Sequence, residues 1–386
     1  MIVLPLLGRL TASLVLLAAA FAWTASAQRD TTGPSVALAP PGHAAASGHW
    51  VERSGGTIPM PAGVLAAHAS NLVAMPDADP AVLSAFWFAG DRESAPNVEI
   101  VASQFNRGSQ TWTAPHTVLN RHVAAGVLGA GIRRLGNPVA WLDSRGHLHL
   151  FVVATGLGGW AASRILHLEQ SSPLGGQDLQ FQPVGVIPLS WLWNVSYLVR
   201  TAPLPLADGG MVLPAYFELG AKTAVALRFD QFGRYKGRAH ISRRAFTLQP
   251  ALLTLSPTHW LALMRDNGKH GKIRVSETVD GGEAWRDTTD LALPNPDAGI
   301  ATLSVGQLHL LAYNPSSESR NTLALAESVT GTDWSPIQEL AHDPQGQEYS
   351  YPALAWADNS LWVSYTDRRK SIAWRRFDWS PGAAKP

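Results

Sequence analysis

The chain contains no cysteine. Disulfide stapling, thiol catalysis and thiolate metal sites are therefore excluded. Charge is also sparse: Asp, Glu, Lys and Arg make up 15% of the 386 residues, and the formal net charge is +1. That balance offers neither a nucleic-acid groove nor a basic membrane patch. Long amphipathic helical patterns are missing beyond the N-terminal region, which excludes a helical bundle or solenoid. The N-terminal apolar run, Leu10 to Trp23, is too short to span a bilayer comfortably.

What is present at the N-terminus reads as an export signal. Arg9 supplies positive charge, the apolar run follows, and Ala25-Ser26-Ala27 offers a small-x-small cleavage site. Residues 1–27 are therefore expected to be a signal peptide, and the protein to be periplasmic or secreted. Residues 28–57 are rich in Ala, Gly, Pro and Ser with little apolar periodicity, so a flexible linker is expected there. An exported chain without disulfides must rest on its hydrophobic core. The 15 tryptophans suit that need, either as filler between sheets or as platforms for sugar rings.

From residue 58 to 380 two strand patterns recur. One is a nearly continuous apolar run: Val82 to Phe88, His147 to Phe151, Met211 to Tyr216, His259 to Met264, Gln307 to Tyr313 and Ser360 to Tyr365. Such runs fit strands covered on both faces. The second pattern follows each of these: Val98 to Ser103, Arg164 to Leu168, Ala224 to Phe229, Lys272 to Ser276, Leu323 to Ser328 and Ser371 to Phe377. The period of roughly 50 to 65 residues is that of a propeller blade. Six copies predict an all-β, six-bladed propeller. Turns in register with the second pattern support this. Thr278 to Trp285 (TVDGGEAW) fits Ser/Thr-x-Asp-x-Gly-x-x-Trp, and degenerate copies lie at Phe105–Trp112, Ser172–Leu179 and Ser328–Trp334. The glycine permits a left-handed backbone, the polar side chain bonds turn amides and the Trp packs between sheets, so the role is structural.

Most of the apolar runs end in polar groups: Asp91-Arg92-Glu93, Glu218, Arg265-Asp266, Asn314 and Asp367-Arg368. Equivalent strand ends in a propeller surround one axis, so these groups should converge on one mouth. His147 and His149 share a strand face, but no third ligand is evident nearby. No metal or other cofactor is expected.

These features together resemble the sialidase (neuraminidase) superfamily, most of all bacterial predicted neuraminidases with BNR-type, Asp-box repeats. The stretches that carry the resemblance are FWFAGDRESAPNVEI (86–100), LPAYFE (213–218), QPALLTLSPTHWLALMRD (249–266), YNPSSESRNTLALAESVTGTDW (313–334) and EYSYPALAW (348–356). The resemblance implies an exo-α-sialidase-like glycoside hydrolase acting on a terminal acidic sugar. Arginines grip the sugar carboxylate, and a tyrosine paired with a glutamate is the nucleophile. It assigns Arg265 and Arg320 to the carboxylate, Tyr351 to attack with Tyr349 as the near alternative, and Glu218 to activation. Arg92 and Glu93 would shape the substrate-binding rim. Two departures stand out. The first family arginine has no counterpart in Ala67 to Val73, where His68 stands instead, and the general-acid aspartate is replaced by Asn97. Asp91 or His68 are the candidates to substitute. A polysaccharide lyase on uronic-acid glycans and a non-catalytic carbohydrate-binding propeller are the alternatives. The expected partner is an acidic glycan or glycoconjugate; neither nucleic acid nor, after signal cleavage, membrane is expected, and the protein should be a monomer.

Overall fold

The computed structural model describes residues 33–44, 48–173, 175–176, 178–190 and 194–382, with Thr11, Ser13, Val15, Leu16 and Ala19. The expected cleavage site and most of the apolar run before it lie outside these residues. Six antiparallel sheets follow one another around a ring. The first holds β2 (Ala66–Ala74), β3 (Ala81–Gly90), β4 (Glu99–Asn106) and β5 (His116–Leu119). A short helix, α1 (Arg121–Leu128), leads to the second: β6 (Arg134–Leu142), β7 (Leu148–Thr155), β8 (Ser163–Gln170) and β9 (Phe181–Val186). The third has a divided inner strand, β10 (Tyr197–Val199) and β11 (Leu204–Pro205), then β12 (Met211–Phe217), β13 (Thr223–Phe229) and β14 (Tyr235–His240). The fourth comprises β15 (Thr247–Thr254), β16 (Trp260–Asp266), β17 (Arg274–Thr278) and β18 (Arg286–Asp287). The fifth comprises β19 (Ala301–Val305), β20 (Leu308–Tyr313), β21 (Thr322–Ser328) and β22 (Ser335–His342). The sixth has β23 (Tyr349–Ala357), β24 (Ser360–Asp367) and β25 (Ser371–Pro381), and takes its outermost strand from the other end of the chain: β1 (Gly48–Thr57).

The apolar runs are the second strands of the blades. Every residue of β3 and β7 is buried, because neighbouring blades cover both faces. Trp87, Trp260 and Trp362 are wholly buried, so these tryptophans fill space between sheets.

The expected linker is corrected by β1 and by the segment before it. Residues 48–57 pair with β25 from Gly48↔Pro381 to Thr57↔Ala373, with one bulge at Glu52/Ser54. This pairing closes the ring and covers a sheet edge that would otherwise be open. Most β1 side chains are exposed, so the strand is held by backbone bonds and leaves little apolar periodicity in the sequence. Upstream, residues 35–44 cross blades three to five as a strap. Ser35 N–H donates to Gly281 at 3.2 Å, Ala37 N–H to Pro257 at 2.8 Å and Leu38 N–H to Pro205 at 2.9 Å. Pro41 accepts from Gly306 at 2.8 Å, and Ala44 from Gln307 at 2.9 Å. The contact is close enough to require glycine: a Cβ on Gly281, whose φ is +72°, would lie 2.0 Å from the Ser35 carbonyl oxygen.

The Thr278–Trp285 turn has the expected construction. Asp280 accepts from the amides of Glu283 and Ala284 at 3.0 Å, Thr278 Oγ1 accepts from Gly282 at 3.0 Å, and the Trp285 indole donates to the Gly282 carbonyl at 3.1 Å. Ser328–Trp334 repeats the last bond, from Trp334 to Gly331, at 3.0 Å.

Candidate active site

Each blade's strands alternate in direction, so its loops fall at two ends. Turns between strands one and two, and three and four, share the far face with the strap. Connections between strands two and three, and from one blade to the next, share the opposite face, which is the mouth. Arg265 near the end of β16, Glu218 after β12, the Asp91–Asn97 loop after β3, Arg320 after β20 and Arg369 after β24 therefore all lie at the mouth end.

The floor of the mouth is built by a repeated backbone device. Four first strands break register at the same place: between His68 and Asn71, Gly136 and Val139, Leu248 and Ala251, and Ser350 and Ala353. The first unpaired residue has a left-handed backbone each time: Ala69 (φ 54°), Asn137 (38°), Gln249 (48°) and Tyr351 (52°). A bulge bends its strand and re-aims a side chain. Three of these residues precede proline, namely Pro138, Pro250 and Pro352. Proline lacks the N–H that would go unpaired there. The strain of such residues, about 1–3 kcal/mol each, is stored where the strands approach the axis. In blade five the corresponding residue, two before the first strand residue Ala301, is Gly299. A Cβ there would lie 2.9 Å from Gln249 Oε1 and 3.6 Å from Tyr351 Cδ1, so glycine leaves room for both side chains.

Tyr351 and Arg265 meet on this floor. Arg265 Nη1 donates to the Tyr351 hydroxyl at 3.2 Å and to Gln249 Oε1 at 3.3 Å, and its Nε donates to Asp297 Oδ1 at 2.6 Å. Burial works against the Arg265 charge, but Tyr351 and Asp297 more than offset it and hold the group above the ordinary arginine range. The neighbouring Asp266 caps its own turn instead, accepting from Gly268 and Gly271 at 2.9 and 3.0 Å. Tyr216 is buried behind Gln249, whose Nε2 donates to its hydroxyl at 3.4 Å; burial raises the Tyr216 phenol above its usual range.

Arg320 joins the same residues from blade five. It donates to the Asp297 carbonyl and, through Nη1, to Glu348 Oε1 at 3.0 Å. Glu348 also accepts from Arg369 at 2.7 Å and from Ser350 at 2.5 Å. Burial pushes Glu348 up, yet the Arg369 and Ser350 bonds and the Arg320 charge bring it down to about 2. Arg369 extends the chain to Glu93. Arg369 thereby links Glu348, at the start of blade six, to Glu93 in the loop after β3 of blade one.

His68 and Arg200 complete the surroundings of Tyr351. The His68 ring lies 4.4 Å from the Tyr351 ring, and neither imidazole nitrogen has a hydrogen-bond partner among the described residues. Burial, then the nearby Arg369 charge, lowers His68 to about 3, so it is neutral. Arg200 is 2% exposed. Its guanidinium stands 5.1 Å from the centre of the Tyr351 ring and donates to the Pro352 carbonyl at 2.7 Å. No carboxylate pairs with it among the described residues, and its Nε is unbonded. Burial lowers Arg200 to about 10, which leaves it charged at neutral pH.

The remaining expected residues are dispersed. Glu218 does not pair with Tyr351; its carboxylate takes Lys222 at 3.0 Å, four residues along. Asp91 and Arg92 are exposed on the rim, and neither side chain has a bonded partner among the described residues. Asn97 bonds the Asp91 amide at 3.4 Å and so shapes that loop. Tyr349 packs against Tyr365, between blades five and six, and accepts from Arg368 at 3.3 Å. Arg200 was missed because it follows a very short strand; the repeated x-Pro bulge marks the same ring position in three other blades and was the available signal.

The family described as BNR repeat-like domain matches residues 81–363. Among solved structures, Trypanosoma rangeli sialidase with 2,3-difluorosialic acid bound as a covalent intermediate aligns with a TM-score of 0.63 at 15% identity, covering 85% of this chain and 59% of that one. The chain thus spans less than two thirds of that sialidase. A Dyadobacter fermentans protein of unknown function aligns at 0.66 and 13% identity, covering 86% of this chain and 99% of that one. A mutant of the NanB sialidase of Streptococcus pneumoniae aligns at 0.64 and 10%, covering 83% and 70%. At these identities the likeness is one of fold. No curated protein matches the sequence.

Proposed function

We propose that this chain, which belongs to the BNR repeat-like domain family, is an exported glycoside hydrolase acting on a terminal acidic sugar. The observation that carries the reading is the contact of 3.2 Å between Arg265 and the Tyr351 hydroxyl at the floor of the mouth. A substrate carboxylate held by Arg265 and Arg320 would set the neighbouring anomeric carbon beside the phenol. A neutral phenol approaches such a carbon without like-charge repulsion. The Tyr351 oxygen then bonds to the anomeric carbon as its phenolic proton passes to solvent, while the glycosidic bond breaks and the leaving oxygen takes the proton of Asp91, which regains it from water in the second step. Water releases the sugar in a second step. Asp91, on the rim, is the candidate proton donor.

A second reading is favoured by the neutral His68 against Tyr351 and by the engagement of Glu218 with Lys222. In β-elimination from a uronic acid, arginines neutralise the carboxylate, while tyrosine and histidine handle the proton beside it. Product analysis on sialylated and uronate-containing glycans separates the two. Release of a saturated acidic monosaccharide supports the hydrolase. An unsaturated product with new ultraviolet absorbance replaces it with the lyase, and binding without turnover rejects both.

A further inference from the structure

A cavity of about 640 Å³ opens at the outer edge between blades two and three, lined from the far-face turns at Arg145 and Phe232 along β9 to Ile187 and Pro188. Its wall includes His167, Glu169, Arg145, Phe232, Arg234 and Tyr235. Nothing in the proposed chemistry uses these residues.

Behind the wall runs a hydrogen-bonded chain of three buried groups. Asp143 Oδ2 lies 3.3 Å from His149 Nε2, and His149 Nδ1 lies 2.8 Å from His167 Nε2. Asp143 is held in its ionised form: burial opposes this, but the His147 amide and the Arg145 side chain prevail. A carboxylate only accepts, so His149 Nε2 carries the hydrogen. Burial keeps His149 neutral, which makes its Nδ1 an acceptor and His167 Nε2 the donor to it. His167, lowered to about 3 by burial, is also neutral. Its Nδ1 is therefore a hydrogen-bond acceptor, and it has no partner among the described residues. The chain fixes a buried imidazole in one tautomer at the wall of an open cavity.

The opposite wall is an aromatic platform. Phe232 is 41% exposed, and the guanidinium groups of Arg145 and Arg234 stand 5.6 and 5.8 Å from its ring centre. Arg145 is engaged by Asp143 and Glu169, both at 2.6 Å. Those two carboxylates and His149 bring ligand atoms within 4.8 Å of one another, but Arg145 already supplies the positive charge a metal ion would bring. Arg234 has no carboxylate partner among the described residues.

We propose that this cavity is a second glycan-binding site, taking one acidic sugar unit. The apolar face of the sugar ring lies on Phe232, a hydroxyl donates to His167 Nδ1, and the carboxylate meets Arg234. The site lies on the outer edge of blades two and three, away from Tyr351 near the axis, so one protein holds an acidic polymer at two places, and the link raises effective concentration at the mouth.

The test is calorimetric titration of the full chain with oligosialic acid, oligogalacturonate and, as the neutral arm, a dextran oligosaccharide. Arg265→Lys serves as the mouth-disabled background. One acidic probe is expected to bind this variant, dextran is not, and adding Phe232→Ala should weaken the acidic probe about tenfold or more. Phe232 is exposed, so circular dichroism should report an intact fold; His167→Phe, which keeps the ring against Phe151 and deletes the acceptor, should give the same loss. If no acidic probe binds the Arg265→Lys protein, if dextran binds as well, or if Phe232→Ala leaves binding intact, the second site is rejected. These readouts are binding alone, so absence of turnover, which bears on the hydrolase proposal, leaves them valid.

Discussion

The Nε of Arg265 donates to the carboxylate of Asp297 at 2.6 Å, and Arg320 donates to the carbonyl of that same residue. Two arginines from different blades are thereby fixed on one loop residue. If both grip one substrate carboxylate, Arg265→Lys should lower kcat/KM on the acidic sugar by about 2–5 kcal/mol in transition-state free energy, since an ammonium keeps the charge and loses the planar fork. The double substitution with Arg320→Lys should lose less than the sum. The methyl ester of the same sugar should respond little to either. Steady-state kinetics on acid and ester make the comparison, and equal damage to both would refute the carboxylate grip.

Arg200 is expected to dissociate activity from stability. A buried guanidinium without a counter-ion is expensive, and an apolar replacement of similar size is often neutral or stabilising. Arg200→Met should therefore melt no lower than the wild type. Turnover should nevertheless drop about tenfold or more, because the cation steadies the Tyr351 ring and the Pro352 carbonyl. Differential scanning calorimetry beside kinetics decides it. A variant that melts lower with unchanged turnover assigns Arg200 to the fold alone.

Acid should destabilise the propeller in two overlapping windows. His68 has a folded pKa of about 3 against the usual 6.5, so the stability linked to its neutral form is complete above pH 6.5 and is lost as pH falls toward 3. Glu348 has a folded value of about 2 against the usual 4.5; its contribution is complete above 4.5 and is lost as pH falls through 2. Each group adds up to about 1.4 kcal/mol per pH unit within its window. Urea unfolding at stepped pH should show His68→Gln flattening the slope between pH 6.5 and 3 and leaving the lower window in place.

The Asp-box tryptophan and the strap offer two tests of the frame. Trp285 is only half-buried and rests on Trp260 at 6.4 Å between ring centres, so Trp285→Ala should cost about 2 kcal/mol, below the 3–5 kcal/mol typical of a wholly buried Trp such as Trp260. Equal melting losses for Trp285→Ala and Trp260→Ala would contradict this packing.

Gly281→Ala puts a Cβ into the Ser35 backbone at a left-handed position and should free the strap without opening the ring. Limited proteolysis should then cut within residues 33–44 while β1 to β25 stays protected. Resistance equal to wild type would mean the strap adjusts around the methyl group.

The second strands were legible because they are nearly continuous apolar runs covered on both faces, and the third strands because they recur at the blade period, four of them running into box-type turns. β1 was not, since a strand such as His49 to Thr57, mostly exposed and rich in Gly and Ser, carries no alternation; backbone pairing with β25 alone defines it. At the site, Arg265 and Tyr351 came from the family resemblance and do meet. Glu218 also came from the resemblance, as the partner of Tyr351, yet Lys222 at i+4 takes it at 3.0 Å, a local contact that the resemblance does not encode. Gln249 reaches the centre through a bulge, and a bulge moves a side chain across a sheet without altering the apolar pattern that marks the strand; Arg200 follows β10, only three residues long and too short to stand out as a strand.

The path of residues 35–44 sets how the molecule is presented when held from its N-terminal side. Ser35 leaves the propeller on the far face, at the Gly281 turn, while Tyr351 opens to the other end of the same blades. Any tether joined upstream therefore pulls on the far face and turns the mouth toward the surrounding medium. Immobilising the protein through an N-terminal tag should keep the mouth free for large glycans, whereas coupling through Arg92 or its rim neighbours should block it.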